Sequence, residues 1–213
     1  MYKTLLLVLM ALAIAAVPVW SDQTLLTNRS DYLTVPNGNI LGNGVDVSVG
    51  SIGPKTIFGE GNKAIFAVGL GTGPYEATVN GSLDDFDTDT MAVSLKYQVN
   101  PGGIIKYFGK TRAAIFVDNL GEGQTGMPGL AVTGTIAPKL DLSVSGWYND
   151  GPAVGGALQW FPVKWIAPTV EYSTDTYWSY GTDLSCRYGY GRVVYLDDTD
   201  EWYAAVGHVF TWK

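Results

Sequence analysis

The sequence predicts an all-β chain folded as an antiparallel up-and-down transmembrane barrel of about twelve strands, with ten as the lower bound. Three observations predict it. Apolar residues recur at every second position through most of the chain, and no stretch of helical period interrupts them. Glycine, proline, asparagine and aspartate break the runs at short intervals, as turns require. Charged residues make up only 15% of the 213, against the roughly 25% of an ordinary soluble domain, so little of the surface is equipped for water.

The first segment has a different character. Met1-Tyr2-Lys3 is a short positive start, Thr4 to Val17 is apolar and rich in Leu and Ala, and Pro18 ends the run. Val19 and Ser21 occupy the −3 and −1 positions of a cleavage site, so residues 1–21 read as a secretory signal peptide. The run is shorter than the roughly 20 residues of a spanning helix. Residues 22–44 are polar and turn-rich with no period, an N-terminal segment placed in the periplasm or in the lumen.

From Val45 to Lys213 the period is two. Val45, Val47 and Val49 alternate with Asp46 and Ser48; Val93, Leu95 and Tyr97 alternate with Ser94, Lys96 and Gln98; Leu140, Leu142 and Val144 alternate with Asp141, Ser143 and Ser145. The punctuation places strands at 45–52, 63–71, 75–84, 90–99, 104–117, 129–137, 140–149, 153–161, 164–173, 177–188, 191–196 and 202–212. Connections alternate between short ones, such as Gly73-Pro74 and Pro138-Lys139, and longer ones, such as 53–62 and 118–128. Antiparallel neighbours joined in this way collect the tight turns at one end and the loops at the other. That is the layout of a barrel with short periplasmic turns and longer outer loops.

The two ends also differ in charge. Acidic residues gather in the long loops, at Asp84 to Asp89 and at Asp197 to Glu201, while Lys139, Lys164, Arg192 and Lys213 stand beside the short turns. Aromatic residues cluster near strand ends, among them Tyr75, Tyr97, Trp160, Trp165, Tyr172, Trp178 and Trp202, as rings do at water–lipid boundaries. The closing segment Trp202 to Trp212 resembles the aromatic-ended last strand of bacterial outer-membrane β-barrels, although Lys213 follows it. On these features the chain from Val45 resembles a small, porin-like outer-membrane barrel. The resemblance implies residence in the bacterial outer membrane, contact with its lipid, and passage through the outer-membrane assembly machinery. It carries no motif that assigns a functional residue.

Candidate functional residues come from phase. In the run 104–117, Lys106, Lys110 and Arg112 share one face. Cations there cannot meet lipid, where each costs about 2–4 kcal/mol near the midplane, so they point inward. Lys96 joins them from the neighbouring strand to form a basic wall. Glu76, Asp141, Glu171, Asp183 and Arg187 have the inward phase of their own strands, as does Asp46. The expected lumen lining is therefore Lys96, Lys106, Lys110, Arg112, Glu76, Asp141, Glu171, Asp183 and Arg187, with inward Phe108, Phe116, Trp147 and Phe161 narrowing it. Such a lining filters small hydrophilic solutes by a transverse field. The alternative reading of the same residues is an internal salt-bridge network that fills the barrel.

Other chemistry is thin. A net charge of −7 gives no cationic face for nucleic acid. One histidine, His208, and one cysteine, Cys186, leave no nucleophile–base set and no His/Cys metal centre, so neither enzyme nor cofactor is expected. Asp85, Asp87 and Asp89 have the spacing of a calcium loop, but Thr90 and Lys96 stand where an EF-hand needs Gly and Glu. Only a weak divalent-cation contact is expected at those carboxylates. The leading function is a narrow passive channel. A non-transporting structural or interaction barrel, and a secreted soluble β-domain binding carbohydrate, are the alternatives. Nothing in the pattern selects a solute or an oligomeric state.

Overall fold

Alternation dictates that each strand bury one face, and the computed structural model shows which. It describes residues 38, 41–54, 61–84, 91–99, 111–120, 126–148, 150–175, 177–186 and 188–212. Among these, every regular element is a strand. The strands are β1 (Gly44–Pro54), β2 (Lys63–Thr72), β3 (Tyr75–Ser82), β4 (Ala92–Val99), β5 (Thr111–Leu120) and β6 (Met127–Ala137), followed by β7 (Leu140–Tyr148), β8 (Pro152–Trp160), β9 (Ile166–Ser173), β10 (Tyr177–Cys186), β11 (Gly189–Leu196) and β12 (Glu201–Thr211). Each pairs antiparallel with its neighbours in sequence, and β1 pairs with β12 from Gly44↔Thr211 to Pro54↔Glu201, closing the barrel. The expected fold class and strand number are met. Residues 1–21, most of 22–44, and 104–110 of the fifth run lie outside the described residues.

The turns show why the hairpins close where they do. Thr72 pairs with Tyr75, and Gly73 between them takes φ 55°, a positive value that glycine adopts without a Cβ penalty. Register irregularities fall between Val93 and Leu95 and between Thr135 and Ala137. Such bulges bend a strand and raise its twist, which helps a sheet curl into a barrel.

The outer face is apolar. Val68, Leu95, Ile115, Leu130, Val144, Val154 and Leu158 are all exposed. Exposed aromatics flank this aliphatic band at both ends. Tyr75, Tyr97, Trp160, Trp165, Tyr188 and Trp212 mark the turn end; Tyr148, Tyr172, Trp178 and Tyr180 mark the loop end. Some are in ring contact, with centroids 5.0 Å apart for Tyr75–Tyr97 and 5.1 Å for Tyr172–Trp178. Cys186 lies on this exposed face, in phase with Leu184.

The inner face is polar and made of small residues. Register rows join Ser48 to Ala67 and to Gly207, Thr133 to Ser143, and Ala157 to Glu171. Two apolar patches interrupt it, one of Phe116, Ala131, Trp147 and Ala153, the other of Val194, Tyr203 and Ala205. Phe116 and Trp147 thus occupy the inward positions expected of them.

The seam between β1 and β12 has a cross-strand latch. Tyr190 on β11 lies over Gly207 on β12, and its hydroxyl donates to Asp46 Oδ1 on β1 at 3.0 Å. A Cβ on Gly207 would stand 2.2 Å from the Tyr190 hydroxyl and 2.8 Å from Ser48 Cβ. Gly207→Val is therefore expected to break the latch and cost about 1–3 kcal/mol through overpacking and the lost bond. Gly191→Val serves as the control, because its Cβ would meet only Ala205 O at 3.7 Å. Urea midpoints of the two variants check this: equal midpoints would remove the latch from the account.

Candidate functional site

The inner face holds the barrel's chemistry, because alternation sends every second side chain there and register decides which of them meet. Asp46, Glu76, Lys96, Asp141, Glu171 and Asp183 all face inward and are buried. Arg112 faces the same way, in register with Thr133 of β6. Lys106, Lys110 and Arg187 lie outside the described residues, as do Asp85, Asp87 and Asp89.

Register pairs the charges. Glu76 stands directly across from Lys96 in the β3–β4 ladder. Arg112 Nη2 donates to Asp141 Oδ2 at 2.8 Å, reaching across β6, and Thr135 Oγ1 donates to the other oxygen of the same carboxylate at 2.7 Å. The described cations of the expected basic wall therefore each face a carboxylate. These pairs lie along the wall, between neighbouring or next-but-one strands.

A further pair is not legible by loop position. Arg192, expected beside a short turn, is turned into the barrel on β11 opposite Asp183 of β10. Its Nε donates to Asp183 Oδ1 and its Nη2 to Oδ2 at 2.7 Å, a two-point contact with both side chains at 5% exposure or less. Gln159 Nε2 adds a donor to Oδ2 at 3.3 Å. The correction follows from phase: Arg192 alternates with Val193 and shares its face with Val194, which is buried inside. A strand phase outranks nearness to a turn.

At the turn end Gly38 and Leu41, which precede β1, lie in this space. Gly38 N–H donates to Thr133 Oγ1 at 2.8 Å, and Gln98 Nε2 donates to Gly38 O at 3.3 Å. Leu41 N–H donates to Glu76 Oε2 at 2.5 Å. Leu41 is buried, and Gly42 takes φ 72°. Sequence reasoning does not single out Thr133 and Gln98, because uncharged inward residues look alike in an alternating run.

His208 is on the other face. Its register partner on β1 is Val47, its ring meets Phe210 edge-on at 4.5 Å, and its Nδ1 lies 3.0 Å from Tyr188 O. It is in phase with no inward carboxylate, so it joins no acid–base pair on the inner face. Among the described residues no group of three or more His, Cys, Asp or Glu side chains could hold a metal ion.

No protein-family profile matches the chain, and no characterised protein matches it in sequence. Solved structures do match its shape. The KdgM porin in complex with disordered oligogalacturonate is 12% identical, with 80% of this chain and 99% of that one covered at a TM-score of 0.52. A second KdgM porin structure is 11% identical, with 79% and 99% covered at 0.51. A NanC porin structure in a rhombohedral crystal form is 12% identical, with 79% and 100% covered at 0.49. At such identities the KdgM likeness is one of fold, and it spans nearly the whole of the matched chain: this chain has the fold of a small porin-like outer-membrane barrel.

Proposed function

We propose that the protein is a narrow passive channel of the bacterial outer membrane for small hydrophilic solutes. The observation that carries this reading is the inversion of polarity. The exposed face is aliphatic between two aromatic belts, while the enclosed face carries Glu76, Lys96, Asp141, Glu171, Asp183 and Arg192. Charged groups are costly to enclose without partners or water, and a conducting lumen is where both are found. The porin fold of the structural neighbours supports the same reading, as does the secretory start of the sequence. No cofactor enters this function: solutes move down their gradient. In this reading the paired charges set a transverse field, and inward Phe116 and Trp147 limit the cross-section.

Conductance of the purified protein in a planar bilayer tests the proposal. Lys106→Glu with Lys110→Glu reverses the charge of the wall assigned to the fifth strand and is expected to shift an active pore toward cations, with the barrel still folded. An active pore whose ion selectivity does not change would remove these lysines from the lumen. A second reading, a non-transporting barrel filled by its own ion pairs, is favoured by the burial of the inward charges, and a wild-type protein with no conductance would select it.

A further inference from the structure

We infer that Gly38 and residues 41–43 form a resident constriction at the turn end of the lumen, seated on the inner face of the wall. The inference rests on the channel reading and assigns the element that limits that channel.

The path of the chain is the first argument. Leu41 sits against β2 and β3: its side chain would meet a Cβ on Gly69 at 3.6 Å, and its N–H is bound by Glu76. Gly38 sits against β5 and β6, where a Cβ would stand 2.3 Å from Arg112 O and 3.0 Å from Thr133 N. Three strand spacings along the wall come to about 14 Å. Three residues of extended chain reach about 10 Å. Gly38 and Leu41 therefore both stand inside the curve of the wall and occupy lumen.

The second argument is polar accounting. A buried backbone group must find a partner. Thr133, Gln98 and Glu76, all on inward positions of the wall, supply partners to Gly38 N–H, Gly38 O and Leu41 N–H. They come from three different strands, and each is spaced to meet the segment. Asn43 fastens the exit, its Oδ1 accepting from Gly73 N–H at 2.8 Å and its carbonyl from Trp212 N–H at 3.2 Å. Gly38 fits only because it lacks a side chain, and Gly42 supplies the positive φ that turns the chain from β1 into the lumen.

The exported protein, purified as a folded barrel, allows two independent readouts. In a Cys186→Ala background, Leu41→Cys reports seating through its labelling rate with a charged thiol reagent. Gly38→Val has no room against Arg112 O and is expected to unseat the segment, raising that rate about tenfold or more toward the exposed limit. Single-channel conductance of Gly38→Val is expected to rise about twofold, since a chain one strand spacing wide leaves the lumen. Thr133→Val with Gln98→Leu removes both wall partners of Gly38 without a backbone clash, and serves if Gly38→Val does not fold. If the thiol introduced by Leu41→Cys labels at the exposed rate with Gly38 intact, the segment is not seated and the inference is wrong. If labelling responds but the conductance of an active pore does not, the segment is seated without limiting the pore, and the inference is again wrong. If neither parent nor unseated variant conducts, the channel reading itself fails.

Discussion

Replacing Arg192 by leucine is expected to destabilise the barrel by about 3–5 kcal/mol, the cost of leaving a buried carboxylate without its cation. Among the described residues, Asp183 would keep the Gln159 amide at 3.3 Å. The double variant Arg192→Leu with Asp183→Leu is expected to recover most of the loss, because two apolar side chains of similar size need no partner. Arg112→Leu should cost less: the Arg112 side chain is 24% exposed, so water already screens its contact with Asp141 and will solvate what remains. Urea titrations of the three variants in lipid vesicles give the ordering. A double variant no more stable than the single one would mean that shape, and not charge pairing, sets the cost at this site.

The second large effect belongs to the opposite face. Val144 lies at the centre of β7, more than half exposed, within the aliphatic band. Val144→Arg is expected to cost about 2–4 kcal/mol in a bilayer, while Tyr148→Arg at the aromatic belt of the same strand costs about 0–1 kcal/mol. The depth dependence is the informative part. On a water-soluble barrel both arginines would be solvated and neither would matter, so equal and small effects would favour the secreted soluble alternative over the membrane one.

Much of this architecture is visible in one dimension because a strand has the simplest of periods. Val45 to Val49, Leu140 to Val144 and Val93 to Tyr97 each declare two faces without any knowledge of the partner strand. The residues assigned inward from phase alone, Asp46, Glu76, Lys96, Asp141, Glu171 and Asp183, are all buried on the enclosed face. What phase cannot give is register. That Lys96 faces Glu76, or that Arg112 reaches Asp141 across an intervening strand, depends on hairpin lengths and on the bulges near Val93 and Thr135. Arg192 misleads for a different reason: the turn beside it suggests a place at the barrel's end, although its alternation with Val193 already points inward. The seat of Gly38 and Leu41 has no signal at all. A backbone held by wall side chains shows no period, and a glycine chosen for lack of space looks like one chosen for a turn.

The closure of the wall has a consequence for the order in which the chain assembles. Each hairpin joins strands that are neighbours in sequence, so its ends meet by closing a short loop, whereas β1 and β12 bring together opposite ends of the described chain. Loop-closure entropy and contact order both make that pairing the slow, late event. The residues that receive Gly38 and Leu41 belong to β2 through β6. Gly38 and Leu41 therefore have their berth while the sheet is still an open trough, and the Asn43 carbonyl gains its Trp212 N–H partner only when the seam closes. Docking there before the seam forms spares Gly38 and Leu41 a later passage through a closed mouth. The last strand then zips against β1 over a cargo already aboard, with Gly38 and Leu41 enclosed as the wall closes.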